Sequence, residues 1–565
     1  MRRIIVDRGI SIPVRDGTRL AADLYRPDIA GPLPTVLRRT PYGRGEPAAG
    51  ASLDATRIVS AGYNLLVQDV RGRHGSGGRF EPYLSEAVDG ADTIAWIAGQ
   101  RWSNGRVFMI GRSYDGATQW LAAGASEAGN AGLTAIAPHM AASQFGEGWT
   151  YRSGAFQLGF CMHWVLDDLI RPELAQPDAA DEVGAAIDGI EELYKQPARA
   201  RELLARHAPY YTDWPNLAGD REYWAARAAG PPRPTTASLS IGGWYDIFAD
   251  ATIDAFRQAR AAGGTHRLIV GPWSHCVRGG VFPQRRYGLA ADEAAADITG
   301  EHLDFFALAA DAELTPAAPV RLFIMGADQW HDFAAWPPPG TAQQTWYLHS
   351  LGGASRPGLP GTLNQDAPAE EPPDAFRADP DDPVPTVGGA TLMAGMFVGA
   401  DCGPLDQRVL DNRPDIARYL SDPLSRDLAV IGTVIAELFV STSAADADVT
   451  ARLIDVWPSG RAELICEGIM RGRYHADPRG GSPLIPGQVH QLTITLGATA
   501  MVFRAGHRLR LDLAGASFPR FDVNPNTGAV PGEDSGREVA LTSIHHRAAI
   551  PSHLSLPILD SWPPL

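Results

Sequence analysis

The turn Gly111-Arg112-Ser113-Tyr114-Asp115-Gly116 constrains this chain more than any other stretch. A short apolar run, Val107 to Ile110, precedes it, and a helix-forming run, Ala117 to Ala123, follows. Strand, tight turn and helix in that order lift a serine hydroxyl clear of a sheet. The turn holds Ser113 in a strained conformation, and the glycines let neighbouring segments pass close by. The next backbone N–H then faces any oxyanion, and the helix start adds a favourable partial charge. The usual nucleophile pattern is Gly-x-Ser-x-Gly, whereas here the second glycine comes one residue late. Taken alone, the stretch also fits a glycine-rich strand–helix connection in any α/β protein.

The flanking chain decides which sheet this is. Ile10 to Val14 and Arg19 to Tyr25 read as a hairpin about Asp16-Gly17. A strand at 34–40 runs into the loop Pro41-Tyr42-Gly43. Another at 63–69 runs into the glycine-rich loop Arg71 to Arg79. Residues 86–98 have helical spacing, and Leu133 to Pro138 is a further strand. Strands alternating with helices predict a parallel sheet covered on both faces. The pattern stops near 140. Residues 141–230 hold no buried-strand run and show helical spacing in 182–206, which predicts a helical insertion over the sheet, punctuated by Pro231, Pro232 and Pro234. The α/β pattern resumes with a strand ending at Asp246, a helix over about 248–262, and a strand ending at His275. Val320 to Met325 reads as the last strand of that domain. Beyond 344, short alternating runs at 345–349, 434–441, 450–456, 491–496, 501–504 and 508–513 are separated by Gly, Pro, Asn and Asp. They predict an all-β jelly roll, with 352–390 as a surface excursion. The expected division is 1–140 and 235–343 for an α/β-hydrolase domain, 141–234 for a helical cap, and 344–565 for the jelly roll.

Ser113, Asp246 and His275 therefore fall at the carboxyl ends of three parallel strands, the edge where open α/β sheets bind ligands. Their chain order, Ser, Asp, His, is that of α/β-hydrolases. A serine hydroxyl needs a base, histidine serves near neutral pH, and a carboxylate fixes its tautomer. Singly, each has an ordinary use: Asp246 as a helix N-cap, His275 as a loop hydrogen-bonder. Three ordered strand-end positions together favour catalysis. Tyr42 follows the strand that supplies an oxyanion donor in this fold. Its phenol would serve, and packing beside Pro41 is the alternative.

Composition excludes other chemistries. A net charge of -16 with pI near 5.4 lacks the basic footprint of a nucleic-acid binder. All 49 basic residues but Lys195 are arginine, so no Gly-Lys-Ser/Thr phosphate loop exists. The four cysteines, Cys161, Cys276, Cys402 and Cys466, contain no Cys-x-x-Cys pair. The loop Arg71 to Gly78 lacks dinucleotide spacing, and Asp522 to Gly528 reads as an Asx-type turn rather than a metal loop. No signal peptide and no apolar run of membrane-spanning length is visible, so a cytoplasmic protein without membrane contact is expected.

Arg39-Thr40-Pro41-Tyr42, Asp69 to Gly72, Gly111 to Trp120, Gly243 to Asp246 and Gly271 to His275 together resemble the cocaine esterase-like hydrolases. That group includes X-prolyl dipeptidyl aminopeptidases, α-amino-acid ester hydrolases and glutaryl cephalosporin acylases. The likeness runs through cap and jelly roll, and its Gly-x-Ser-Tyr-x-Gly turn matches the late glycine. It implies Ser113 as nucleophile, Asp246 as orienting acid and His275 as base. Tyr42 and the backbone N–H of Tyr114 would be the oxyanion donors, with no metal or cofactor. Asp115 departs from the pattern, since relatives often carry an apolar residue there.

The cap is expected to line the acyl pocket through Phe145, Trp149, Phe156, Phe160 and Trp164, with core packing the alternative for at least half of them. Several facing inward would fit a bulky or aromatic acyl group. Glu147, Asp167, Asp168 and Asp213 are available to hold an ammonium, although surface ion pairs are the ordinary use of each. A small-molecule carboxylic ester is the favoured substrate. An aminopeptidase or acylase acting on amides is the runner-up. A carbohydrate-binding jelly roll beside an inert hydrolase domain is the reading from another class. The jelly roll is expected to cover the hydrolase flank and offers a surface for self-association.

Overall fold

Strands buried on both faces set the architecture. Asn64–Asp69 and Ala237–Tyr245 have no exposed residue, as expected of central strands between helical layers. In a computed structural model they belong to a sheet of ten strands: β1 (Ile4–Pro13), β2 (Arg19–Pro27), β3 (Leu33–Thr40), β4 (Asn64–Asp69), β5 (Ser103–Arg112), β6 (Leu133–His139), β7 (Ala237–Tyr245), β8 (His266–Ser274), β9 (Val320–Ile324) and β10 (Gln329–Phe333). The spatial order is β1-β2-β4-β3-β5-β6-β7-β8-β9-β10. Pairing is parallel from β4 through β9 and antiparallel at both flanks. The structure describes residues 3–45, 54–125, 132–174, 176–230, 236–311, 314, 318–393, 402–477, 480–529 and 536–562. The prolines at 231–234 lie outside them.

Between β6 and β7 the chain leaves the sheet. It forms a two-residue hairpin (Tyr151–Arg152 with Ala155–Phe156), then helices Leu158–His163, Pro177–Asp188, Ile190–Tyr194, Pro197–His207 and Arg221–Ala225. A π-helical segment, Trp164–Ile170, continues directly from Leu158–His163. Aromatic rings of this insertion share one core with Tyr114 and Phe248, which follow β5 and β7.

Two expectations need correction. Val320–Ile324 is not the last strand of its sheet, because a turn with Gly326 (φ 79°) and Asp328 (φ 56°) returns the chain as β10. Residues 352–390 are not simply a surface excursion. They contain strands Gly361–Asn364 and Asp374–Ala378, the latter paired with Ala540–Arg547. Both misreadings come from short strands whose apolar residues are too few to stand out.

Twelve strands form the C-terminal β-rich domain. Its longest ladder joins Leu428–Thr442 to His490–Phe503, so the runs 491–496 and 501–504 are one strand. Among the described residues a single bridge links this domain to the ten-stranded sheet just past β9. Met325 N–H donates to Ala500 O at 2.9 Å, and Val502 N–H donates to Met325 O at 2.8 Å. Among the described residues no helix is long and apolar enough to cross a membrane.

Candidate active site

Ser113 stands between β5 and helix Tyr114–Gly124 at φ 61°, ψ −126°. A non-glycine residue held there costs of order 1–3 kcal/mol, which neighbouring structure must offset. The clamps are visible. Ser113 N–H donates to His139 O at 2.9 Å, and its carbonyl accepts from Gly116 and Ala117 N–H at 2.9 Å. Gln119 bridges the turn to β6, donating to Gly111 O at 3.1 Å and accepting from Ala137 N–H at 2.8 Å. The late glycine has a steric cause, since a Cβ on Gly116 would come within 2.6 Å of the Ala141 side chain.

Asp246 follows β7 and His275 follows β8, on adjacent parallel strands. His275 Nδ1 lies 2.6 Å from Asp246 Oδ2, while Asp246 Oδ1 accepts the Phe248 N–H at 2.8 Å. The carboxylate is thus oriented from both oxygens. Donation of Nδ1–H to Asp246 leaves His275 Nε2 as a base. Asp246 is 1%, His275 6% and Ser113 8% exposed.

Tyr42 joins the same site. Its hydroxyl accepts from Trp164 Nε1–H at 3.1 Å and lies beside the Ser113 side chain. Its loop is pinned by Arg73 Nε on Pro41 O at 2.9 Å and by Arg44 N–H on Asp69 at 2.6 Å. Burial first, then the Asp168 and Asp115 charges, hold the phenol far above its ordinary pKa, so it stays a proton donor. The Tyr114 ring is committed elsewhere. Its hydroxyl donates to Glu86 at 3.0 Å and accepts from Tyr83 N–H at 3.0 Å.

All five aromatics expected in the pocket are buried. Trp164 reaches Tyr42, and Phe160 stacks on Trp164 at 5.6 Å. Trp149 stacks at 4.1 Å on Phe248, which meets the His275 ring edge-on at 5.4 Å. Phe145 stacks on Tyr83 at 4.0 Å. Phe156 packs instead on Tyr151 and Tyr211, and its N–H bonds Asp522 of the C-terminal domain. Of the four insertion carboxylates, Asp167 pairs with Arg171 at 2.6 Å, Glu147 accepts the Ser153 N–H at 2.8 Å, and Asp213 is exposed.

Asp168 differs. It has no ion pair or hydrogen bond among the described residues, and its charge acts on Tyr42, Arg112 and Cys276. Burial, with the Asp167 charge, pushes its carboxyl up to about 7. Arg112 and Cys276 are likewise hemmed in by protein yet partly exposed. Burial lowers the Arg112 guanidinium and raises the Cys276 thiol to about 12. Sequence reasoning passed over Arg112, Cys276 and Phe248. Their signal was adjacency, because each lies one or two positions from Ser113, His275 or Asp246.

Comparison with known proteins identifies two domains along the chain. Residues 16–277 match the X-Pro dipeptidyl-peptidase (S15 family) domain, and residues 312–555 match the X-Pro dipeptidyl-peptidase C-terminal non-catalytic domain. Cocaine esterase of a Rhodococcus species is 37% identical over 98% of both chains. The chain belongs to the cocaine esterase-like hydrolases. A putative serine esterase of Mycobacterium bovis is 28% identical over 91% of each chain. Among solved structures, an aminopeptidase from a Thaumarchaeota archaeon superposes with TM-score 0.79, covering 99% of this chain and 96% of its own at 24% identity. An α-amino acid ester hydrolase superposes with TM-score 0.78, covering 99% and 97% at 24% identity, and these two speak to the fold. As a member of this family the protein is a serine ester hydrolase.

Proposed function

We propose that Ser113, His275 and Asp246 are the catalytic triad, that the Tyr42 hydroxyl and Tyr114 N–H form the oxyanion hole, and that the substrate is a carboxylic ester with a bulky or aromatic acyl group. The observation that carries this reading is the Tyr42 hydroxyl, held by Trp164 of the inserted helices and set beside Ser113. It puts an O–H donor beside Ser113, a serine held at positive φ between a strand and a helix.

The chemistry proposed for these residues is acyl transfer in two steps. Ser113 Oγ attacks the ester carbonyl while His275 Nε2 takes its proton, and Asp246 stabilises the imidazolium through Nδ1–H. The developing oxyanion takes bonds from Tyr42 and Tyr114. His275 then protonates the departing alkoxide. Water attacks the acyl-enzyme with His275 again as base, and the acid leaves. The cluster of Trp149, Phe248, Phe160 and Trp164 beside His275 and Tyr42 supports an acyl group with a flat apolar face.

Turnover of p-nitrophenyl benzoate tests the reading. Ser113→Ala is expected to lower kcat by roughly 10⁴-fold or more. Phenylmethylsulfonyl fluoride is expected to add one sulfonyl group to the wild type and none to the variant, read by intact mass. Retained activity in Ser113→Ala overturns the assignment. Comparable turnover of Ala-Pro-p-nitroanilide would move it to the peptidases.

A further inference from the structure

The two proposed oxyanion donors come from separate segments, and something must fix their spacing. Tyr42 follows β3, while Tyr114 opens the helix after β5. The β3–β5 ladder runs from Leu33 only to the pair Leu37–Met109. Past that point, toward the site, β3 keeps its backbone pairing on the β4 side alone, out to Thr40–Asp69. Where the ladder stops, a side-chain link begins. Arg38 Nε donates to Asp115 Oδ2 at 2.6 Å, and both side chains are at most 3% exposed. Arg38 and Thr40 share one face of β3 because strand side chains alternate. Thr40 is the next residue along that face toward the site, and its Oγ1 accepts the Tyr42 N–H at 3.2 Å. Tyr42 is therefore linked through Thr40 and Arg38, on one strand, to the residue next to Tyr114.

Asp115 is where this chain carries a buried acid in the nucleophile turn. A carboxylate and a guanidinium out of water lose hydration that their attraction only partly restores, so an apolar pair would hold the fold as well. Its Cβ also sits where any side chain at residue 111 would be, so the acid is seated against the turn itself, with Gly111 at φ 140°. We propose that Asp115, with Arg38 and Thr40, is a positioning residue for the oxyanion hole, holding the Tyr42 loop at a fixed distance from the Tyr114 N–H. This rests on the reading of Tyr42 as an oxyanion donor.

The test is a kinetic cycle on the full chain. Arg38→Met with Asp115→Leu removes both charges together. With p-nitrophenyl benzoate it is expected to lower kcat by about 10- to 100-fold, the scale of a 1 Å misplacement, with KM little changed. In a Tyr42→Phe background the same pair is expected to cost less than about twofold, because the group it positions is gone. Equal losses in both backgrounds would assign the ion pair to general stability and overturn the proposal, as would no loss in the wild type. If Tyr42→Phe alone leaves kcat intact, the oxyanion reading fails and takes this one with it. Thr40→Val provides a second route that spares the ion pair. A several-fold loss of kcat, absent in Tyr42→Phe, is expected, and a loss of equal size there would count against the proposal.

Discussion

Tyr42 is held as a neutral phenol. A phenolate beside Ser113 would repel an oxyanion, and burial with two nearby carboxylates keeps the proton on. Removing only that hydroxyl isolates its contribution. Tyr42→Phe is expected to lower kcat by about 10²–10³-fold with KM within a few-fold, the size typical of one lost oxyanion donor, measured with p-nitrophenyl benzoate. A KM effect of the same size, with kcat kept, would mean the ring only binds substrate. Trp164 acts one bond further out, donating Nε1–H to that hydroxyl. Trp164→Phe keeps the stacking on Phe160 and deletes the donor. A kcat loss of roughly tenfold or less is expected, because the hydroxyl itself remains and only one supporting hydrogen bond is lost.

At the scale of elements, the segment Trp164–Ile170 matters most, because it carries both Trp164 and Asp168. π-helical insertions change which side chains share a face and occur often at functional sites. Asp168 titrates near 7, neutral below and charged above. A cationic ester should therefore gain on a neutral one as pH rises through 7. Benzoylcholine against 3,3-dimethylbutyl benzoate is the matched pair. The ratio of their kcat/KM values is expected to rise by about fivefold between pH 6 and 8, the ~1 kcal/mol of a partly exposed charge pair. In Asp168→Asn the ratio should stay flat. A wild-type ratio that stays flat over the same interval would place Asp168 off the substrate path.

This segment also marks where sequence reading ends. Ser113, Asp246 and His275 were legible because each closes a buried strand, and strand periodicity is a local property. So was Tyr42, at the end of β3. The inward turn of Asp168, beside an Asp167 that pairs outward with Arg171, depends on the exact pitch of one helical turn. Composition around two adjacent aspartates carries no trace of that. The same holds for Asp115, whose partner Arg38 is distant in sequence and reached only through sheet order. Short strands such as Gln329–Phe333 escaped notice because tertiary pairing, not apolar pattern, makes them strands.

At the scale of the molecule, three parts of the chain meet just behind Asp246. Asp250, on the helix after Asp246, accepts from Ala498 N–H at 2.7 Å and pairs with Arg152 at 2.8 Å, joining the β-rich domain and the insertion to the hydrolase sheet. A second joint is acidic. Glu463 of the β-rich domain lies 2.9 Å from Arg461 and 3.7 Å from Arg285 of the hydrolase half. Burial outweighs the attraction of both arginines and pushes its carboxyl up to about 7 from 4.5. The sign follows from linkage. Between these two values the folded chain holds a proton that the unfolded chain has released, so ionisation opposes folding. This group's contribution is fully favourable below about 4.5, declines as pH rises toward 7 and is constant above. Glu463→Gln keeps shape and hydrogen-bonding capacity but cannot ionise. Relative to wild type its melting temperature is expected to rise by a few degrees at pH 8 and to change little at pH 4.5, by scanning calorimetry at fixed ionic strength. A loss of equal size at both pH values would mean that the charge on Glu463 holds the two domains together through Arg285, and that the joint is an attractive one.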